Sequence, residues 1–264
     1  MRFIDPHIHT HVISDIDLEK LAMAGMEAIV IPSPHRLKGL FSAEAVLQLW
    51  RRFLGFEVKN AKSMGFEAYV TLGIPFYGLT PDAVEECLRQ LPEYLKHERV
   101  VGMGEIGLDV GIEDEVKLFR AQLNMAKEHN LPIIVHSAIR SAPQAPAVIK
   151  QIVDVIQEEN FPLNRVVLDH TAENTLDFRL STGAMVGLSV CHDKVPPEVA
   201  AEIVLKNPDK RDKLLINSEL GYGNDGYFSV PRVILAMKMM GVGREVIEKV
   251  TFENPKNFFN LPVD

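Results

Sequence analysis

Short apolar runs recur along the chain and alternate with longer stretches in which apolar residues return every three or four positions. Eight runs are apolar on both faces: residues 2–5, 27–32, 67–72, 100–104, 133–136, 166–169, 184–190 and 214–218. This is the pattern of buried parallel strands. Between them the period becomes helical. Val46, Leu49, Trp50 and Phe53 form one stripe behind a Ser42 cap. Val84, Cys87, Leu88 and Leu91 form a second behind Thr80-Pro81, a cap followed by proline at the first helical position. Val116, Phe119, Leu123 and Ala126 make a third, and Ile149, Ile152, Val153 and Ile156 a fourth.

Strands alternating with helices imply crossover connections and a parallel sheet. Eight such units predict an α/β fold closed into a (β/α)8 TIM-like barrel. The alternative, an open doubly wound sheet, wants a glycine-rich phosphate loop after the first strand, where this chain has Pro6-His7-Ile8-His9. The length of 264 residues suits the ~250 of one barrel. No Gly/Ser linker or charge block divides it, so residues 1–264 are read as a single domain.

The ends of the runs carry the chemistry. His7 and His9 follow the first run, Glu105 the fourth, His136 the fifth, His170 the sixth and Glu219 the eighth. Barrel enzymes place their sites at the carboxyl ends of the strands, and imidazole with carboxylate is a donor set for divalent zinc, manganese and related ions. In extended chain, residues i and i+2 face the same way, so His7 and His9 can grip one ion. His9 with His11 is a competing register. A carboxylate such as Glu105 can bridge two cations at the ~3.5–4 Å used in two-metal hydrolysis. Glu219 can bind metal and accept a proton from water. A lone histidine at a strand end is more often merely hydrogen-bonded, but His136 and His170 fall in phase with the others. Asp169 is a candidate partner for a ligating imidazole, although strand alternation turns it away from His170.

Composition narrows the function. The formal net charge is −8. That disfavours a long nucleic acid, whose binding rests on many basic contacts to phosphate. A small basic patch at the mouth remains open: His35, Arg36, Lys38, Arg140, His192 and Lys194 all follow predicted strands. Of these, Arg140, His35 and His192 are the candidate substrate-binding residues. The expected partner is a small anionic substrate, with the oligomeric state open. No apolar run reaches the ~18 residues of a membrane span, and the start lacks the apolar core of a signal peptide. Two cysteines, Cys87 and Cys191, make no disulfide framework, so the expected location is cytoplasmic. Cys191 precedes His192 but points away from it on a strand, and is read as core.

These residues together resemble the TatD-related metal-dependent hydrolases of the amidohydrolase superfamily, as a divergent branch. The resemblance rests on Phe3-Ile4-Asp5-x-His7-x-His9, on Gly104-Glu105-Ile106-Gly107-Leu108-Asp109, on the two strand-end histidines, and on Thr251-x-x-Asn254-Pro255 with Phe258-Phe259. It implies a TIM-like barrel with one or two divalent ions (Zn, Mn or Mg), held by His7, His9, Glu105, His136 and His170. Where the family has Glu-Thr-Asp after the last strand, this chain has Asn217-Ser218-Glu219. After the sixth-strand histidine it has Thr171-Ala172-Glu173. The expected activity is hydrolysis of a phosphate ester by metal-activated water, with Glu105 and Glu219 as catalytic carboxylates. Hydrolysis of an amide or lactone, or a non-catalytic metal- or ligand-binding barrel, are the alternatives.

Overall fold

The computed structural model describes residues 1–36, 42–137, 143–191, 194–222 and 228–264. Eight parallel strands lie side by side in chain order: β1 (Phe3–Asp5), β2 (Met26–Pro32), β3 (Glu67–Leu72), β4 (Val100–Leu108), β5 (Ile133–Ser137), β6 (Val166–Leu168), β7 (Met185–Ser189) and β8 (Leu214–Asn217). Helices α1 (Asp15–Met23), α2 (Ala43–Arg52), α3 (Val58–Ser63), α4 (Pro81–Leu95), α5 (Glu113–Glu128), α6 (Ala145–Glu158), α7 (Leu176–Ser181) and α8 (Pro197–Lys206) supply the crossovers. Helices α9 (Ser229–Met239), α10 (Arg244–Glu248) and α11 (Asn254–Phe259) follow β8. The Ser42 and Thr80 side chains cap α2 and α4 as their sequence suggests, accepting from the amides of Ala45 and Ala83.

Alternation along the strands separates two cores. Phe3, Ile29 and Ile31 face outward into a large layer shared with Trp50, Phe119 and Ile152 of the helices. Ile4, Ala28, Val30, Tyr69, Ile134, Val167 and Leu215 form a second cluster with Phe252, Phe259 and Leu261. The carboxyl-terminal segment therefore packs against the second set of strand residues. Asn254 holds it there, its side-chain amide donating to the carbonyls of Leu214 and Arg211 at 2.8 and 2.7 Å. That is the physical role of the Asn-Pro motif.

Strand ladders join β1 through β8 successively. The seam between β8 and β1 is joined instead beyond their ends, where Glu219 donates its amide to the His7 carbonyl (2.9 Å) and His9 its amide to the Leu220 carbonyl (2.8 Å). The barrel thus meets at the rim that carries the candidate site.

β4 departs from the sequence expectation. It continues to Leu108 rather than ending at residue 104, so Glu105 lies within the strand. Met103 pairs with Ile133 but Ile106 pairs with Val135. One extra residue on β4 is taken up by this bulge, a device that re-aims side chains. Beyond it, β4 runs so close to β5 that a Cβ at Gly107 would stand 2.0 Å from the His136 carbonyl oxygen. Among the described residues no helix is long and apolar enough to cross a membrane.

Candidate metal centre

The fold brings four imidazoles onto one carboxylate. Glu105 Oε1 stands 2.8 Å from His170 Nε2, 3.3 Å from His136 Nδ1 and 3.5 Å from His7 Nε2. Its Oε2 lies 3.8 Å from His9 Nε2 and accepts the His35 amide at 3.2 Å. The main chain at this point is clamped by the end of β2: Ser33 donates its amide to the Gly104 carbonyl and accepts the Glu105 amide. The residue is buried, which opposes ionisation, yet the surrounding imidazoles, His7 foremost, hold its pKa well below the usual carboxylate range.

His7 and His9 converge as their spacing predicts. Their Nε2 atoms are 3.1 Å apart. Two lone pairs alone do not tolerate that separation, so a shared proton or a cation must lie between them. Burial lowers the pKa of His7, but the field of Glu105 and the bond to Asp169 outweigh it and carry it to about 9. His9, desolvated and facing His7, is pushed down. His11 stands apart from this cluster, its ring against Phe53 and 5.9 Å from that of His9.

Asp169 belongs to the site, against the expectation drawn from strand alternation. Its Oδ2 accepts from His7 Nδ1 at 2.6 Å. Its Oδ1 accepts the His170 amide (2.8 Å), Asn217 Nδ2 (2.9 Å) and Ser189 Oγ (3.0 Å). Alternation fails because β6 ends at Leu168 and His170 adopts a left-handed backbone with φ 58°. Glu219, beyond β8, does the same at φ 48°. Non-glycine residues there carry strain, and such strain gathers at functional sites. Gly187 makes room for the Asp169 carboxylate, since a Cβ there would fall 2.2 Å from Oδ1.

His136 lies between two carboxylates. Its Nδ1 faces Glu105 and its Nε2 faces Asp109 Oδ1 at 3.1 Å. Burial opposes its protonation, but Asp109 and Glu105 together raise its pKa to about 9. His35 stacks on it at 4.2 Å with planes 12° apart. The candidate substrate residue His35 is thus buried within the cluster, and burial with His136 nearby lowers its pKa to about 3. Neither of its ring nitrogens has a hydrogen-bond partner among the described residues. Asp109 closes the Gly104–Asp109 motif that the sequence displays, but no role could be assigned to it from the motif alone. The signal was in the spacing: residues 105, 107 and 109 share one face of the strand.

Glu219 is buried beside His170, with Oε2 3.5 Å from Nδ1. It forms an ion pair with Lys194, which also lies 2.7 Å from His170 Nδ1. Burial opposes ionisation of Glu219, but His170 and Lys194 more than offset it and lower its pKa. The candidate residues Arg140 and His192, and the mouth-side Lys38, lie outside the described residues.

Three groups of ligand atoms come within 4.8 Å of one another: His7, His9 and Glu105; Glu105, His136 and His170; and His35, Asp109 and His136. The first two share Glu105. The buried His9 Nδ1 has no hydrogen-bond partner among the described residues, which leaves Nε2 as its converging donor atom. Nitrogen and oxygen donors in this arrangement fit a divalent cation.

A parallel barrel with such a centre at its mouth is that of a metal-dependent hydrolase. A family model described as TatD related DNase matches residues 4–260, and the chain belongs to that family. It is 36% identical over 259 residues, 98% of this chain and 100% of the other, to a protein of Methanocaldococcus jannaschii described as an uncharacterized metal-dependent hydrolase. A human protein named N-acetyltaurine hydrolase is 24% identical over 187 residues, covering 60% of this chain and 52% of that one. The crystal structure of a TatD-like protein from Archaeoglobus fulgidus superposes with a TM-score of 0.77 at 25% identity, covering 98% of this chain and 100% of the other.

Proposed function

We propose that this chain hydrolyses a small phosphate ester, with His7, His9, Glu105, His136 and His170 holding one or two divalent ions and Glu219 managing the proton. The observation that carries the reading is Glu105, whose two oxygens face four imidazoles from three separate strand ends. Bound there, a divalent ion would acidify a water molecule and polarise the ester oxygen.

The chain's own residues set up that chemistry. Asp169 accepts from His7 Nδ1 and so turns Nε2 towards Glu105. Asp109 occupies His136 Nε2 and leaves Nδ1 facing the same carboxylate. Glu219, kept ionised beside Lys194 and close to His170, is our candidate base. Arg36, exposed beyond β2, brings a guanidinium to the rim, which supports an anionic substrate. The relative named N-acetyltaurine hydrolase supports a second reading, cleavage of an amide whose amine half is anionic.

The test is metal analysis of the purified protein followed by assays with added Mn²⁺, Zn²⁺ and Mg²⁺. The substrates are bis(p-nitrophenyl) phosphate, p-nitrophenyl phosphate, N-acetyltaurine and a simple lactone. Turnover of a phosphate ester, lowered at least about 100-fold by Glu105→Gln in a folded protein, is expected. Turnover confined to the amide would overturn the phosphate-ester reading.

A further inference from the structure

We propose that Arg36 recognises a tetrahedral oxyanion, phosphate or sulfonate, that the substrate carries away from its scissile bond. Arg36 follows His35 beyond the end of β2, at the mouth. Its Nε donates to Asp109 Oδ2 at 2.6 Å. Its guanidinium carbon sits 4.7 Å from the centre of the Tyr77 ring, and the two residues also pair through a main-chain bridge. Tyr77 is fixed in turn by donating to Glu115 Oε1 at 2.8 Å, and buried Glu115 accepts the amides of Asp109, Val110 and Gly111. The planar group is therefore held at one edge and one face.

Its remaining edge is free for other work. Neither Nη atom has a hydrogen-bond acceptor among the described residues, and the side chain is 60% exposed. A guanidinium fixed at Nε with two Nη groups presented is a pre-organised fork for an oxyanion, and less rotamer freedom is lost when the anion arrives. The other cations described near the site differ. Lys194 is buried in its ion pair with Glu219. Arg179 is fully enclosed and donates to Thr175, the Asp169 carbonyl and Ser137.

The position argues for a second anionic group rather than the reacting one. Asp109 Oδ2 holds Arg36 while Oδ1 faces His136, whose other nitrogen faces Glu105. One carboxylate, Asp109, thus stands between the fork and His136, the member of the proposed centre on that side.

Two measurements test this. The first needs no turnover: chelator-treated protein is titrated calorimetrically with inorganic phosphate and, separately, with ethanesulfonate. Wild type is expected to bind one or both, which distinguishes the source of the oxyanion. Arg36→Met should bind at least about tenfold more weakly, with Arg36→Lys between them because it keeps the charge without the fork. No binding by wild type, or equal binding by Arg36→Met, overturns the inference. The second measurement rests on the phosphate-ester reading and compares 5′-phosphorylated with unphosphorylated thymidine dinucleotide. Arg36→Met should reduce the preference for the phosphorylated form at least about tenfold, through KM. Equal slowing of both overturns the role of Arg36. If wild type cleaves neither, the phosphodiester reading fails while the titration still decides on Arg36.

Discussion

Replacing Asp169 with asparagine should invert a tautomer and thereby weaken metal binding. Oδ1 of Asp169 accepts from the His170 amide, Asn217 and Ser189. An asparagine must keep its carbonyl oxygen there, because an amide nitrogen would face three donors. Its NH₂ group then occupies the Oδ2 position, 2.6 Å from His7 Nδ1 in the native arrangement. His7 can no longer donate from Nδ1, so the proton it keeps on becoming neutral sits on Nε2, the nitrogen that faces His9 and Glu105. The lost bond to a charged acceptor is worth ~1.5–3 kcal/mol. Loss of such a histidine partner typically lowers metal affinity by roughly 10–100-fold. The assay is calorimetric titration of Mn²⁺ and Zn²⁺ into chelator-treated wild type and Asp169→Asn, with thermal denaturation confirming the fold. Affinities within about threefold of each other would falsify the assignment of Asp169 as the residue that sets the His7 tautomer.

Two further outcomes concern stability. Burial raises the Asp5 carboxyl from 3.8 to about 6 against hydrogen bonds from Ser218 and His7. A carboxyl held higher in the fold than in the unfolded chain contributes stability below its unfolded pKa and loses it as pH rises through the folded one. Chelator-treated Asp5→Asn should therefore be more stable than wild type above pH 6, by up to ~3 kcal/mol, and the gap should close below pH 4. Denaturation at both ends of that window that finds the variant less stable at pH 7.5 refutes the sign. At Glu219, φ 48° favours glycine over alanine, so Glu219→Gly should melt higher than Glu219→Ala by the equivalent of ~1 kcal/mol. The reverse order in a thermal melt would show that the left-handed backbone is not retained.

The fold was legible because burial on both faces leaves strands uniformly apolar, and seven of the eight runs ended within a residue or two of the strands observed. β4 was cut short because a bulge is an event of pairing between strands and leaves no mark in one strand's period. The same limit governed Asp169. Its role depends on a left-handed turn at His170, a conformation that a histidine does not announce as a glycine would. His7, His9, Glu105, His136 and His170 could be gathered from strand ends alone, since barrel geometry sends those ends to one rim. The pairing of Glu219 with Lys194 joins the segments that follow β8 and β7, and it shows only once those two strands lie side by side.

The junction of the first and last strands gives this architecture an order of events. His7 and His9 lie on one lip, Glu219 and Leu220 on the other, and their main chains are laced directly to each other. The residues that shut the cylinder are thus neighbours or members of the candidate metal cluster itself. A growing polypeptide would carry the imidazoles that follow β1 through the synthesis of seven further strands before their counterpart emerged. Completion of the circle and assembly of the candidate centre become one and the same act.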